Sequence, residues 1–309
     1  MIDLLVRNGM VVTHEAIFPA DIAVQDEKIF AVGSWGSFKE SHSEIDASGC
    51  YVLPGLIDPH VHMSHPFKGQ VSDDDFYSTS VSAAFGGNTS LIDFAIQWDK
   101  EKYITKIIKE RRAEIEAESI LDFGLHATPT KSTIDTIHSV GPAAGLGVPT
   151  FKVYMIYRSQ GRMVDDAILF GLLEEMKCSN GRLMVHAENA SIAEYNQLKF
   201  VNEGKTSSRY FPLFKPNIVE AEAVNRVLYF NHVLKSRLYI VHLTTAESLE
   251  LLRESQASGD DALAETCTHY LVLNDREYQR PDGHKFICSP PLRTQVDVDA
   301  LWQGIADGS

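Results

Sequence analysis

The feature that most constrains this chain is a repeated alternation from residue 51 onward. Apolar runs rich in β-branched and aromatic residues occur at 51–57, 89–95, 121–127, 149–154, 182–186, 238–243 and 262–267. Most lie roughly 30 residues apart, the spacing of strand–helix units. Helical periodicity fills gaps between them, as at 104–115 and 167–176. Strands that are apolar throughout are buried on both faces, which predicts a parallel sheet covered by helices. So many successive units suit a (β/α)8 barrel better than an open sheet. The eighth strand is absent. After Ser289-Pro290-Pro291-Leu292-Arg293 the sequence offers one helix, near 298–306, and stops at Ser309. A barrel lacking its last strand keeps two unpaired edges, so the chain is expected to be part of a longer one.

The first fifty residues read differently. Short strand patterns at 4–6 and 10–13 flank Arg7-Asn8-Gly9, and Asn-Gly is a hairpin signal. Patterns at 22–24 and 29–32 flank Gln25-Asp26-Glu27-Lys28, a second expected hairpin. The predicted organisation is a small β-sheet domain over 1–50, incomplete without C-terminal strands, followed by barrel strands one to seven over 51–309.

Charge and cysteine usage narrow the function. With 28 basic against 42 acidic residues, net −14, the chain has no broad positive footprint for nucleic acid or an anionic membrane. No apolar run approaches the length of a membrane span, and the start Met1-Ile2-Asp3-Leu4-Leu5-Val6-Arg7 does not read as a signal peptide. Cys50, Cys178, Cys267 and Cys288 are scattered without a C-x-x-C pair, as free thiols in a reducing cytoplasm would be.

Candidate chemistry gathers where the strands end. The first ends in Asp58-Pro59-His60-Val61-His62, where alternate residues put both imidazoles on one side. Such a pair can grip a metal ion, though H-x-H alone is also common in packing. Lys152 lies inside the apolar run Phe151-Lys152-Val153-Tyr154. A buried lysine is costly unless paired, neutralised or modified; the alternative is a side chain snorkelling to solvent. His186 and His242 end two further strands. Taken singly each is a packing residue. Together, at the carboxyl ends where barrel active sites lie, they indicate a metal site. His126, His65 and His269 read as packing or loop residues. Asp73-Asp74-Asp75 reads as a helix N-terminus.

These residues stand in stretches that resemble the cyclic amidohydrolases of the amidohydrolase superfamily, dihydropyrimidinases and hydantoinases above all. The matching segments are Pro54-Gly55-Leu56-Ile57-Asp58-Pro59-His60-Val61-His62, Asp74-Asp75-Phe76, Gly86-Gly87-Asn88-Thr89, Ile92-Asp93-Phe94-Ala95, Phe151-Lys152, Val185-His186-Ala187-Glu188-Asn189 and Ser289-Pro290-Pro291-Leu292-Arg293. The resemblance implies two divalent metal ions, usually zinc. His60 and His62 would hold the buried ion and His186 and His242 the outer one. Lys152 as N6-carboxylysine would bridge both. A hydroxide between the ions would attack a cyclic amide, giving an N-carbamoyl amino acid, while Tyr157 hydrogen-bonds the developing oxyanion. The backbone of Ser289 would clamp the ring of a small cyclic ureide, a dihydropyrimidine or 5-substituted hydantoin. Met63 and Phe67 follow the H-x-H strand and are expected beside the ring substituent.

The family's metal-binding, proton-shuttling aspartate at the end of strand eight would fall beyond Ser309, and Asp307 lacks the context to replace it. Family members usually form homotetramers, the expected assembly here. Ser64 stands where dihydroorotases usually carry an arginine, which disfavours that activity. The alternatives are allantoinase-like activity, or a non-catalytic scaffold or inactive fragment on the same fold, as in the collapsin response mediator proteins. Retention of all four histidines and the lysine argues for an enzyme.

Overall fold

The computed structural model describes residues 1–67 and 70–309, with the side chain of Phe67 also outside the description. The chain divides into two compact units, Met1–Asp58 with Val81–Ser90, and Pro59–Ser80 with Leu91–Ser309.

The first unit carries a five-stranded sheet of β1 (Ile2–Val12), β2 (Ile17–Gln25), β3 (Lys28–Gly33), β4 (Ser41–Asp46) and β5 (Tyr51–Val52). The Asn8-Gly9 hairpin expected from sequence does not form. β1 runs straight through it and pairs with β2, with a register shift between Val6 and Gly9. Asn8 adopts the left-handed φ of 61°, so Asn-Gly serves a bulge here rather than a turn. The second expected hairpin forms, with Asp26 and Glu27 both left-handed between β2 and β3, as a two-residue turn matched to strand twist requires. Val11, Ala20 and Ile22 make the core of this sheet.

The main sheet contains β6 (Leu56–Val61), β9 (Asn88–Ile96), β10 (Asp122–Thr128), β11 (Thr150–Tyr154), β12 (Arg182–His186), β13 (Arg237–Ile240) and β14 (Asp261–Ala264) in sequential order. A small ribbon, β7 (Pro66–Phe67) and β8 (Gln70–Val71), lies between β6 and β9 in the chain. From β10 to β14 each neighbour pairs in parallel. This is an incomplete (β/α)8-like barrel, open between β6 and β14. The first barrel strand begins later than the sequence pattern suggests. Tyr51 and Val52 pair with β1 instead, and Pro54, which has no amide hydrogen to give a ladder, separates the two strands.

Apolar residues on one face of the central strands are sealed from solvent. Phe151 and Val153, Leu183 and Val185, and Leu238 are completely buried. The helix Asp166–Ser179 packs on β12 and β13 and buries Leu169, Leu172, Leu173 and Met176. Asp165 caps its start by accepting the Ile168 amide, and left-handed Asn180 ends it. Among the described residues no helix is long and apolar enough to cross a membrane.

Candidate active site

The barrel delivers its histidines from separate strands to one place. His60 lies in β6, His62 follows it, His186 ends β12 and His242 sits two residues past β13. Ring centroids are 5.3 Å apart for His60–His62, 5.5 Å for His60–His242 and 4.4 Å for His186–His242. All four line a cavity of about 370 Å³ together with Lys152, Tyr157 and Ser289. His242 and Tyr157 have left-handed backbones, with φ of 40° and 68°. Non-glycine residues there carry strain that packing must hold, a frequent companion of functional sites.

Electrostatics keep these imidazoles neutral. Burial, then the nearby cations, pushes His60 down to about 2 and His242 well below its ordinary range. His62 reaches solvent at the cavity mouth, yet its crowded ring is also held well below the ordinary value, again chiefly by burial. Burial takes His186 to about 4 against the pull of Glu188. Lys152 is 1% exposed, and burial lowers its pKa against the opposing attraction of Glu265 and Cys267. Its Nζ sits 5.5 Å from the Phe94 ring centre and 5.4 Å from that of Tyr154.

This donor set has the chemistry of a metal centre. Neutral imidazoles have lone pairs to offer, and Nδ1 of His242 is buried without a hydrogen-bond partner, an unpaired polar atom that a cation would satisfy. Other imidazoles are engaged: His60 Nδ1 contacts Glu265, and His186 Nε2 lies 2.6 Å from Glu188 Oε2. Among the described residues no group of three or more His, Cys, Asp or Glu is arranged to hold one ion. The residues fit a divalent metal in type and protonation, and would have to draw together around it.

Tyr157 donates its hydroxyl hydrogen to Ser289 Oγ at 2.8 Å. Burial and the negative Glu188 raise its phenol pKa, which keeps it a donor at neutral pH. Ser289 Oγ also accepts from Lys215 Nζ at 2.5 Å, and Lys215 donates to Glu188 Oε2 at 2.8 Å. Burial alone would raise the pKa of Glu188, but Lys215 and His186 bring it to about 2.

Met63 is completely buried, with its amide donating to Asp93 and its carbonyl accepting from Arg111, and it does not line the cavity. The side-chain role expected of Phe67 lies outside the described residues. His126 is a packing residue between the Pro59 carbonyl and the Thr150 hydroxyl. His65 and His269 do reach the cavity. Asp75 accepts the Ser78 amide at the start of the helix Phe76–Phe85. Asp307 pairs with Arg253. Sequence reasoning passed over Lys215, Glu265, Gln160 and Arg162. Glu265 directly follows a strand, a readable position, whereas Lys215 lies in the long excursion between β12 and β13, where no period marks it.

No protein-family model matches the chain. It is 38% identical over 308 residues to a D-hydantoinase of Rhizobium radiobacter, covering 99% of this chain and 66% of that protein. The chain thus spans 66% of the length of this curated relative. A solved D-hydantoinase structure superimposes with a TM-score of 0.95 at 37% identity, covering 99% of this chain and 67% of the other. The dihydropyrimidinase of Brevibacillus agri NCHU1002 gives 0.94 at 32% identity, over 100% of this chain and 67% of its own.

Proposed function

Because the chain belongs to the amidohydrolase superfamily, in its dihydropyrimidinase and hydantoinase type, we propose that its cavity opens a cyclic ureide. The substrate is a dihydropyrimidine or a 5-substituted hydantoin, and the product an N-carbamoyl amino acid. The observation that carries this reading is the convergence of four neutral histidines and a buried lysine on one cavity beside the Tyr157–Ser289 pair.

His60, His62, His186, His242 and Lys152 would hold two divalent ions, zinc on the family pattern. When bound, the ions acidify a water and polarise the scissile carbonyl. The rest falls to this chain. The amine of Lys152, whose neutral form burial favours, attacks carbon dioxide; a nitrogen–carbon bond forms, one carbon–oxygen π bond opens and a proton leaves the nitrogen. The buried amine thereby becomes an anion suited to two cations. Tyr157 turns its hydroxyl from Ser289 to the ring carbonyl, whose oxygen gains negative charge as water attacks. Ser289, released, presents its backbone to the ring amide. A homotetramer is the assembly that the same reading implies.

A second reading has its own support. Among the described residues the sheet edges at β6 and β14 are unpaired and no three-donor group is arranged. On that reading the 309-residue chain alone is an inactive part, or a scaffold, on a hydrolase fold.

The test is to supply zinc and bicarbonate and follow ring opening of dihydrouracil and 5-substituted hydantoins by appearance of the carbamoyl product. Product formation that falls about 100-fold in Tyr157→Phe, the usual scale for one oxyanion donor, supports the main reading. Zinc bound without turnover supports the second. Failure to bind zinc overturns the proposed metal chemistry.

A further inference from the structure

The cavity has a charged wall that ring opening itself does not use. Beyond β11 the chain turns through Arg158–Gln160 and left-handed Gly161, whose carbonyl accepts from Lys100 Nζ at 2.5 Å. That turn brings Gln160 and Arg162 to the cavity. Arg162 is fixed at both ends. Its amide donates to the Tyr157 carbonyl at 3.2 Å. Its guanidinium lies 4.4 Å over the Trp98 ring and 5.7 Å from that of Tyr157, and its charge acts on the buried Tyr154 phenol. Stacking of this kind presets the planar fork and leaves further N–H donors on its edges.

No carboxylate among the described residues lines this cavity, and none forms an ion pair with Arg162. Asp99, next to Trp98 in the adjoining pocket, accepts the Glu101 amide and forms no ion pair with Arg162, and four other nearby carboxylates are committed elsewhere. Glu188 is held by Lys215 and His186, and Glu265 by His60 and Tyr239. In the adjoining pocket, Glu110 pairs with Lys102 and Glu114 with Arg111. A half-buried guanidinium, pre-stacked and without an acidic partner, at the rim of a substrate cavity is arranged to receive an anion.

We propose that Arg162, with Gln160 beside it, selects cyclic ureides whose ring substituent carries a carboxylate. The inference rests on the reading of this cavity as a cyclic-ureide site and adds the class of substituent. The carboxylate would sit against the guanidinium while the ring lies below, towards Tyr157 and Ser289.

The test compares hydantoin-5-acetic acid with its neutral amide, which differs from it chiefly in charge. On the zinc- and bicarbonate-supplied protein, kcat/KM should favour the acid by about tenfold or more, the scale of a charge-assisted hydrogen bond. Arg162→Leu should lower the acid's value about 10- to 100-fold and the amide's far less, mainly through KM, and Arg162→Lys should recover part of the preference. Affinity of both compounds for the chelated protein, read by calorimetry, should show the same Arg162-dependent ratio without turnover. Equal handling of acid and amide by the wild-type protein, or an equal fall on both in Arg162→Leu, overturns the proposal. Ring opening without charge preference would leave the hydrolase reading standing alone. Charge-dependent binding without ring opening would leave Arg162 as an anion selector in a non-hydrolytic site.

Discussion

Replacing Glu220 with alanine should loosen the barrel where it positions His242. Glu220 is 2% exposed in the first turn of the helix Asn217–Leu234. Its carboxylate accepts from the amides of Thr244 and Thr245, both at 3.0 Å, and from both hydroxyls. Arg293 Nη2 lies 3.6 Å away, and the same buried guanidinium donates through Nε to Thr244 Oγ1 and through Nη1 to the Lys215 carbonyl. The substitution removes the acceptor of two buried amides and leaves a buried cation without its counter-charge. Each stranded donor costs about 1–3 kcal/mol, and breaking a buried pair costs about 3–5 kcal/mol. These overlap, so the expected loss is about 4 kcal/mol. At about 2.1 cal/mol/K per residue of unfolding entropy, a chain of 309 residues should melt about 6 °C lower. Glu220→Gln, which keeps one acceptor oxygen, should lose about half as much. Chemical denaturation and calorimetry read both values, and zinc affinity should fall in parallel because Thr244 follows His242 by two residues. A Glu220→Ala protein within about 1 kcal/mol of wild type would refute the reasoning, since no surface substitution costs much more than that.

Acid should weaken the fold in a defined window. His186 titrates near 4 in the folded chain against an ordinary 6.5, so the unfolded chain takes up its proton first as pH falls. Stability is therefore whole above about pH 6.5 and declines from there towards 4, with His60, His62 and His242 acting in the same direction; a urea midpoint at pH 5 equal to that at pH 7.5 would contradict this. In the N-terminal sheet, fully buried Asp21 accepts the amides of Asn8 and Gly36 at 2.9 and 2.8 Å beside Arg7. Asp21→Ala should cost about 2–4 kcal/mol, seen as faster amide exchange across β1 and β2; unchanged exchange would show the bulge held by other contacts.

The barrel was legible because seven apolar, β-rich runs recur at regular spacing with helical patterns between them. The histidines were legible for a related reason, since each closes such a run. Asn8-Gly9 misled, because a left-handed pair suits a bulge as well as a turn, and only the pairing of β1 with β2 on both sides of it decides between them. Lys215 and Arg162 were illegible. Both lie in irregular segments, and their significance comes from what faces them: Ser289 and Glu188 in one case, the Trp98 ring and a cavity lined by no carboxylate among the described residues in the other. Partnership across the chain leaves no local trace in a sequence.

Metal stoichiometry tests the central claim most directly. The protein dialysed against excess zinc and bicarbonate, then freed of unbound metal, should retain two ions per chain by elemental mass spectrometry. His60→Ala and His186→Ala should each lose metal while staying folded by circular dichroism. Retention of no zinc by the wild-type protein, or equal retention by the histidine variants, would contradict the proposal that these residues hold the metal of a cyclic-amide hydrolase.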